Sequence, residues 1–281
     1  MSSPTRQEPG SVEPRRLASL PPSTETVILR VDDDGIAWVF LDRRQAANAR
    51  NQQMRSDLAA LWRWIAASHE VLVVVLTGAG DRFFCAGMDL KEASHDETPE
   101  ALRERMRRVR DIEILAALPQ PTIASINGAA RGGGLEMALA CDIRVIADEA
   151  SIGFPEVGHG LMPGGGGTVR LPRLIGAERA LEMLYLGTIM SGPEAVAAGL
   201  ASRHVPADQL EAAVSELAAS IAVRPPAAVR ATKDAVRYGL EHSPRLSLDR
   251  ELDGLLTLLE HRAQELSTKQ SDGDRDGNMS R

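Results

Sequence analysis

The sequence predicts an α/β fold, a core of strand-strand-helix units followed by a C-terminal helical region. Short β-branched apolar runs bounded by glycine, such as Val71 to Leu76 before Thr77-Gly78-Ala79-Gly80, have the length and composition of buried strands. In the first half of the chain strands outnumber helices, whereas the second half reads as helix after helix. A last leucine-rich run, from Leu246 to Leu259, carries more apolar surface than an isolated helix tolerates.

In chain order, strands are expected at about 26–31, 36–41, 71–76, 121–126 and 142–147. Helices are expected at about 51–67, 98–117 and 134–140, then at about 165–175, 178–187, 192–198, 207–222, 226–241 and 246–266. Within the second of these, Arg103, Arg105, Arg107, Arg108 and Arg110 alternate with Leu102, Met106, Val109 and Ile112 at helical spacing, so they read as the wet face of an amphipathic helix. Residues 1–22 are rich in Pro, Ser, Glu and Arg and read as a disordered tail, with a core over 23–206, helices over 207–266 and a polar tail over 267–281.

Composition narrows the function classes. With 281 residues, 43% of them hydrophobic, the chain can bury a substantial core. A net charge of −7 and a pI near 5.5 argue against nucleic acid as a partner. Cys85 and Cys141 form no disulfide framework and have no neighbouring histidine, so they read as buried fillers, with no metal site, in a reducing cytoplasm. No apolar stretch is long and uninterrupted enough to span a membrane.

Chemistry concentrates around two glutamates. An apolar strand ending at Ile126 runs through Gly132-Gly133-Gly134 into a helix that carries Glu136 in its first turn. Glycines let backbone N–H groups approach a ligand, and the helix start adds unpaired donors and a positive dipole end that favours an ionised Glu136. Glu156 follows Pro155 among Ile152, Phe154 and Val157, an apolar setting that raises a carboxyl pKa, and a second glycine-dense loop, Pro163 to Thr168, lies beyond it. Each glutamate alone also fits an ordinary turn or surface loop.

The order of these elements is what makes them specific. The segments LDRRQAANARN (41–51), LTGAGDRFFCAGMDLKE (76–92), INGAARGGGLEMALACDIRVIAD (126–148), FPEVGHGLMPGGGGTVRLPRLIG (154–176) and GPEAVAAGLASRHVPADQL (192–210) together resemble the enoyl-CoA hydratase/isomerase, or crotonase, family. The resemblance implies a crotonase-like spiral of strand-strand-helix units with a C-terminal helical oligomerisation region. It implies backbone N–H groups of Met88 and Gly133 as the oxyanion hole for an acyl-CoA thioester, with Glu136 and Glu156 as the hydratase carboxyl pair. It also implies that Gln45, Ala46 and Ala47, with Ala86, Asp89, Leu90 and Lys91, line the coenzyme A groove, and that Arg44 or Lys91 meets phosphates.

Coenzyme A would be part of the substrate, with no separate cofactor, and the assembly would be a homotrimer or a hexamer built as a dimer of trimers. The implied reaction is hydration of a 2-enoyl-CoA to a 3-hydroxyacyl-CoA. A double-bond isomerase or hydrolase and a non-catalytic acyl-CoA-binding subunit are the alternatives. Three features depart from the family pattern. Arg50 stands where Leu or Met is usual and reads first as a charge reaching the surface; His159 either approaches the acyl pocket or is a solvated loop residue; and the C-terminus lacks the usual basic cluster.

Overall fold

The computed structural model describes residues 19–92, 98–108 and 110–278. The expected tail through residue 18, residues 93–97, Val109 and residues 279–281 lie outside the described residues, as do the side chains of Leu90, Pro99, Leu102, Arg105, Met106, Arg108 and residues 265–278.

Strands β1 (Val27–Val31) and β2 (Ile36–Leu41) pair antiparallel. Helix α1 (Gln52–Ala67) starts where the Asn51 side chain accepts from the Met54 N–H at 2.9 Å, an N-cap that satisfies an otherwise orphaned donor. Its helical-period stripe of Met54, Leu58, Leu61, Trp62 and Ile65 is fully buried. Strand β3 (Val73–Gly78) then lies parallel to β2 and is buried along its whole length, which is why it reads as an unbroken apolar run.

Strand β4 (Phe83–Cys85) begins a second sheet, followed by α2 (Pro99–Arg108) and α3 (Asp111–Ala116). Next come β5 (Thr122–Ile126), β6 (Ala129–Arg131), α4 (Gly133–Ala140), β7 (Ile143–Ala147) and β8 (Ser151–Gly153). Helices α5 (Gly167–Ile175) and α6 (Ala177–Leu186), strand β9 (Ile189–Ser191), helix α7 (Gly192–Ala197) and strand β10 (Arg203–Val205) complete the core. Helices α8 (Leu210–Ala222), α9 (Pro226–Glu241) and α10 (Pro244–Asn278) follow.

The large sheet has the order β1-β2-β3-β5-β7-β10 and the small one β4-β6-β8-β9. The chain therefore passes repeatedly from a strand of the large sheet to a three-residue strand of the small one, as β3-β4, β5-β6 and β7-β8. This is the strand-strand-helix rhythm expected from the sequence. The small sheet brings the ends of β4 and β6 beside the start of α4, the place where the glycine triplet lies.

Several expectations are corrected. The helix expected over 98–117 is two helices, because Arg110 leaves helical geometry at φ −103° and ψ 58° and a new helix starts at Asp111, with Asp111 and Glu113 in its first turn. The last helix runs past 266 to Asn278. Its leucines Leu246, Leu248, Leu252, Leu255, Leu256 and Leu259 stay exposed in the single chain while α10 packs along α9, so the core of this chain does not bury them. Helix α9 is tied to the core by charge: Lys233 Nζ lies 2.7 Å from Asp142 Oδ2 and Arg237 Nη2 2.7 Å from Asp142 Oδ1.

Candidate active site

The first wall of the site is the corner after β4. Asn48, at φ 53°, donates from Nδ2 to the carbonyls of Ala79 (3.0 Å) and Phe83 (2.9 Å), and its Oδ1 accepts from the Arg43 N–H at 3.0 Å. Asparagine tolerates this left-handed conformation better than most residues. Ala86 N–H donates to the Ala47 carbonyl at 3.0 Å, Arg50 N–H to the Gly87 carbonyl at 2.7 Å, and Asp89 N–H to the Arg50 carbonyl at 3.1 Å. This parallel bridge pairs Arg50 with Met88 and leaves the N–H of Met88 itself out of the ladder.

The second wall is the glycine triplet. Gly132 has φ 47°, a backbone conformation that favours glycine, and a Cβ there would come within 2.6 Å of Glu156 Oε1 and displace that carboxyl group. Its N–H donates to the Gly153 carbonyl at 3.0 Å. Gly133 opens α4, where the N–H has no partner within the helix. The point a Cβ would occupy on Gly133 lies 3.8 Å from Met88 N, so the two amides flank one small region.

Gly134 permits the close approach that sets this spacing, since a Cβ on it would collide with the carbonyl oxygen of Cys85 and lie 2.8 Å from the Cys85 Cβ. Gly134→Ala is expected to cost about 1–3 kcal/mol of stability by overpacking. A urea unfolding midpoint equal to wild type would contradict this contact.

Glu136 is buried at 4% exposure, and its Oε1 accepts from the N–H groups of Gly165 (2.7 Å) and Gly167 (2.9 Å). The second glycine-dense loop thus orients the first glutamate. Glu156 opens a short 3-10 turn after Pro155 and is half-buried, with Oε2 shielded and without a partner among the described residues. Burial pushes its carboxyl pKa up; a backbone hydrogen bond and His159 oppose the rise, while the charge of Glu136 adds to it. His159 itself is exposed, so the solvated reading of that residue holds, with a small electrostatic effect on Glu156.

Because the folded state holds the Glu156 proton more tightly than the unfolded chain, stability falls as pH rises from the ordinary carboxyl range through the raised folded value. Glu156→Gln is therefore expected to raise the thermal midpoint at neutral pH, and the gain should vanish below the ordinary carboxyl pKa. A gain of equal size at both pH values would rule out protonation as its cause.

The residues expected along a coenzyme A groove come together at one edge. Gln45 and Ala46 lie in the 3-10 turn Arg44–Ala46, next to Ala47, and this turn abuts Ala86. Asp89 is engaged by Arg43 Nη1 at 2.8 Å, a hydrogen bond that holds its carboxyl below the usual range. Lys91 is exposed, Arg44 Nε bonds Asp42 Oδ1 at 3.0 Å, and only the backbone of Leu90 is described. Burial pushes the thiols of Cys85 and Cys141 up to about 11 and about 12, which makes both poor nucleophiles.

Arg50 is the main correction. Its side chain is only 10% exposed, and Nη2 donates to Asp111 Oδ1 (2.7 Å) and Oδ2 (2.6 Å). Burial alone would lower its pKa, but the charge and hydrogen bonds of Asp111 more than reverse this and hold it above the ordinary value. Sequence reasoning missed Asp111, although an acidic residue on the apolar face formed with Ile112 and Leu115 was a signal. Among the described residues no cluster of His, Cys, Asp or Glu could hold a metal ion, and no helix is long and apolar enough to cross a membrane.

Strand-strand-helix units that alternate between two sheets and end in C-terminal helices have the architecture of the crotonase fold, and comparison with known proteins agrees. The family profile described as enoyl-CoA hydratase/isomerase matches residues 32–272. The chain belongs to this enoyl-CoA hydratase/isomerase family. It is 42% identical to YngF of Bacillus subtilis over 77% of this chain and 84% of that one. It is 36% identical to the short-chain-enoyl-CoA hydratase of Clostridium acetobutylicum over 73% and 79% of the two chains. Among solved structures, an enoyl-CoA hydratase from Bacillus anthracis superposes with a TM-score of 0.82 at 36% identity, covering 88% of this chain and 97% of that one.

Proposed function

We propose that the chain is an enoyl-CoA hydratase, adding water across the 2,3 double bond of a 2-enoyl-CoA to give a 3-hydroxyacyl-CoA. The observation that carries this reading is the pairing of two differently held carboxyl groups beside one amide pair: Glu136 oriented by Gly165 and Gly167, Glu156 desolvated with its pKa raised.

In this reading the Met88 and Gly133 N–H groups donate to the thioester oxygen, on which negative charge develops as the double bond is attacked. Glu136 takes a proton from water while the water oxygen bonds to C3, and the π electrons move onto the thioester oxygen as an enolate. The enolate collapses as C2 takes the proton of Glu156, and the proton gained by Glu136 restores Glu156 before the next turnover. The reaction is redox-neutral and needs no further cofactor.

A 3-enoyl to 2-enoyl isomerase would need only Glu156 as the shuttling carboxyl. Incubation with a chain-length panel of 2-enoyl-CoA thioesters in oxygen-labelled water separates the two. Hydration removes the conjugated enoyl-thioester absorbance and places one labelled oxygen on C3, whereas isomerisation without label uptake would overturn the reading. The exposed leucines of α10 fit burial in a trimer or a dimer of trimers, and a monomer at micromolar concentration in analytical ultracentrifugation would count against that assembly.

A further inference from the structure

We propose that Arg50 is a third donor to the thioester oxygen, aimed by Asp111; this rests on Met88 and Gly133 being the oxyanion site. Only one guanidinium nitrogen, Nη2, is used by Asp111, and it donates to both carboxylate oxygens. Nη1 lies 2.9 Å from the point a Cβ would occupy on Gly133, the same point that is 3.8 Å from Met88 N. Three N–H donors therefore converge on one region. Nε is buried and has no acceptor among the described residues, so the cation is not fully engaged by protein.

The backbone holds this arrangement, because Arg50 is bridged to Met88 through the Gly87 carbonyl and the Asp89 N–H. Arg55 Nε lies 3.7 Å from Asp111 Oδ1, so one carboxylate is shared between two arginines. Glu136 is the other charge felt by Arg50. A fixed cation in a water-poor site stabilises an enolate more than it stabilises the neutral ground-state carbonyl, so its contribution falls on turnover and not on binding.

The test uses the full chain, wild type and two variants. Arg50→Met/Asp111→Leu removes both charges while keeping volume, an exchange that buried ion pairs commonly tolerate. Arg50→Lys keeps the charge paired to Asp111 but has no second nitrogen to offer. Each is assayed for the enolate absorbance of bound acetoacetyl-CoA, for kcat and KM on crotonyl-CoA and glutaconyl-CoA, and for thermal midpoint.

Both variants are expected to lose most of the enolate band and about 10²–10³-fold in kcat on either substrate, with KM little changed. If either folded variant keeps the wild-type enolate band, Arg50 is a structural ion-pair member only and the proposal fails. A loss confined to glutaconyl-CoA would also overturn it, assigning Arg50 to a distal substrate carboxylate. Should wild type not hydrate crotonyl-CoA, the hydratase reading fails on its own, while the enolate band still reads the role of Arg50.

Discussion

Glu136→Gln is expected to lower kcat for hydration of a 2-enoyl-CoA by about 10²–10⁴-fold, the usual worth of a positioned general base. The amide oxygen of glutamine can still accept from the Gly165 and Gly167 N–H groups, so the loop and α4 keep their geometry. What glutamine cannot do is take the proton of the attacking water. KM should change little, because in the proposed mechanism the thioester is held by the amides of Met88 and Gly133, which the substitution leaves in place. Near wild-type turnover with an unchanged thermal midpoint would remove Glu136 from the mechanism and favour an isomerase served by Glu156 alone.

Asp111→Ala is expected to destabilise the fold by about 3–5 kcal/mol, since it strands a buried cation without its partner. Arg50 and Asp111 are 10% and 3% exposed, so water can replace little of what the carboxylate supplies. In a double-mutant cycle measured in urea, Asp111→Leu alone should show a similar loss and adding Arg50→Met to it should recover most of that loss, a strong coupling. A loss below about 1 kcal/mol for Asp111→Ala would mean that the pair behaves like a solvated surface bridge.

The elements legible in the sequence are those whose burial leaves a periodic or continuous mark. Strand β3 reads as a strand because both its faces are covered, and α1 reads as a helix because Met54, Leu58, Leu61, Trp62 and Ile65 repeat at helical spacing. The three-residue strands β4, β6, β8, β9 and β10 were not foreseen, as three residues are too few to show any period. The break before Asp111 was hidden as well. It depends on Arg110 leaving helical geometry, while the amphipathic pattern runs on across it.

At the site, the amino-acid order alone determined where glycine is required, which carboxyl groups are candidates, and which corner carries the amides. Gly132 to Gly134, Glu136 and Glu156 follow from local patterns, and Met88 from the family resemblance that their order along the chain carries. What only the tertiary structure decided is which groups meet. It placed the amides of Gly165 and Gly167 on Glu136, set Gly133 beside Met88, and turned Arg50 inward onto Asp111, 61 positions away. Local sequence records backbone preference and burial period, but the partner of a buried charge is chosen by packing between distant segments, where desolvation leaves Arg50 no alternative to a carboxylate.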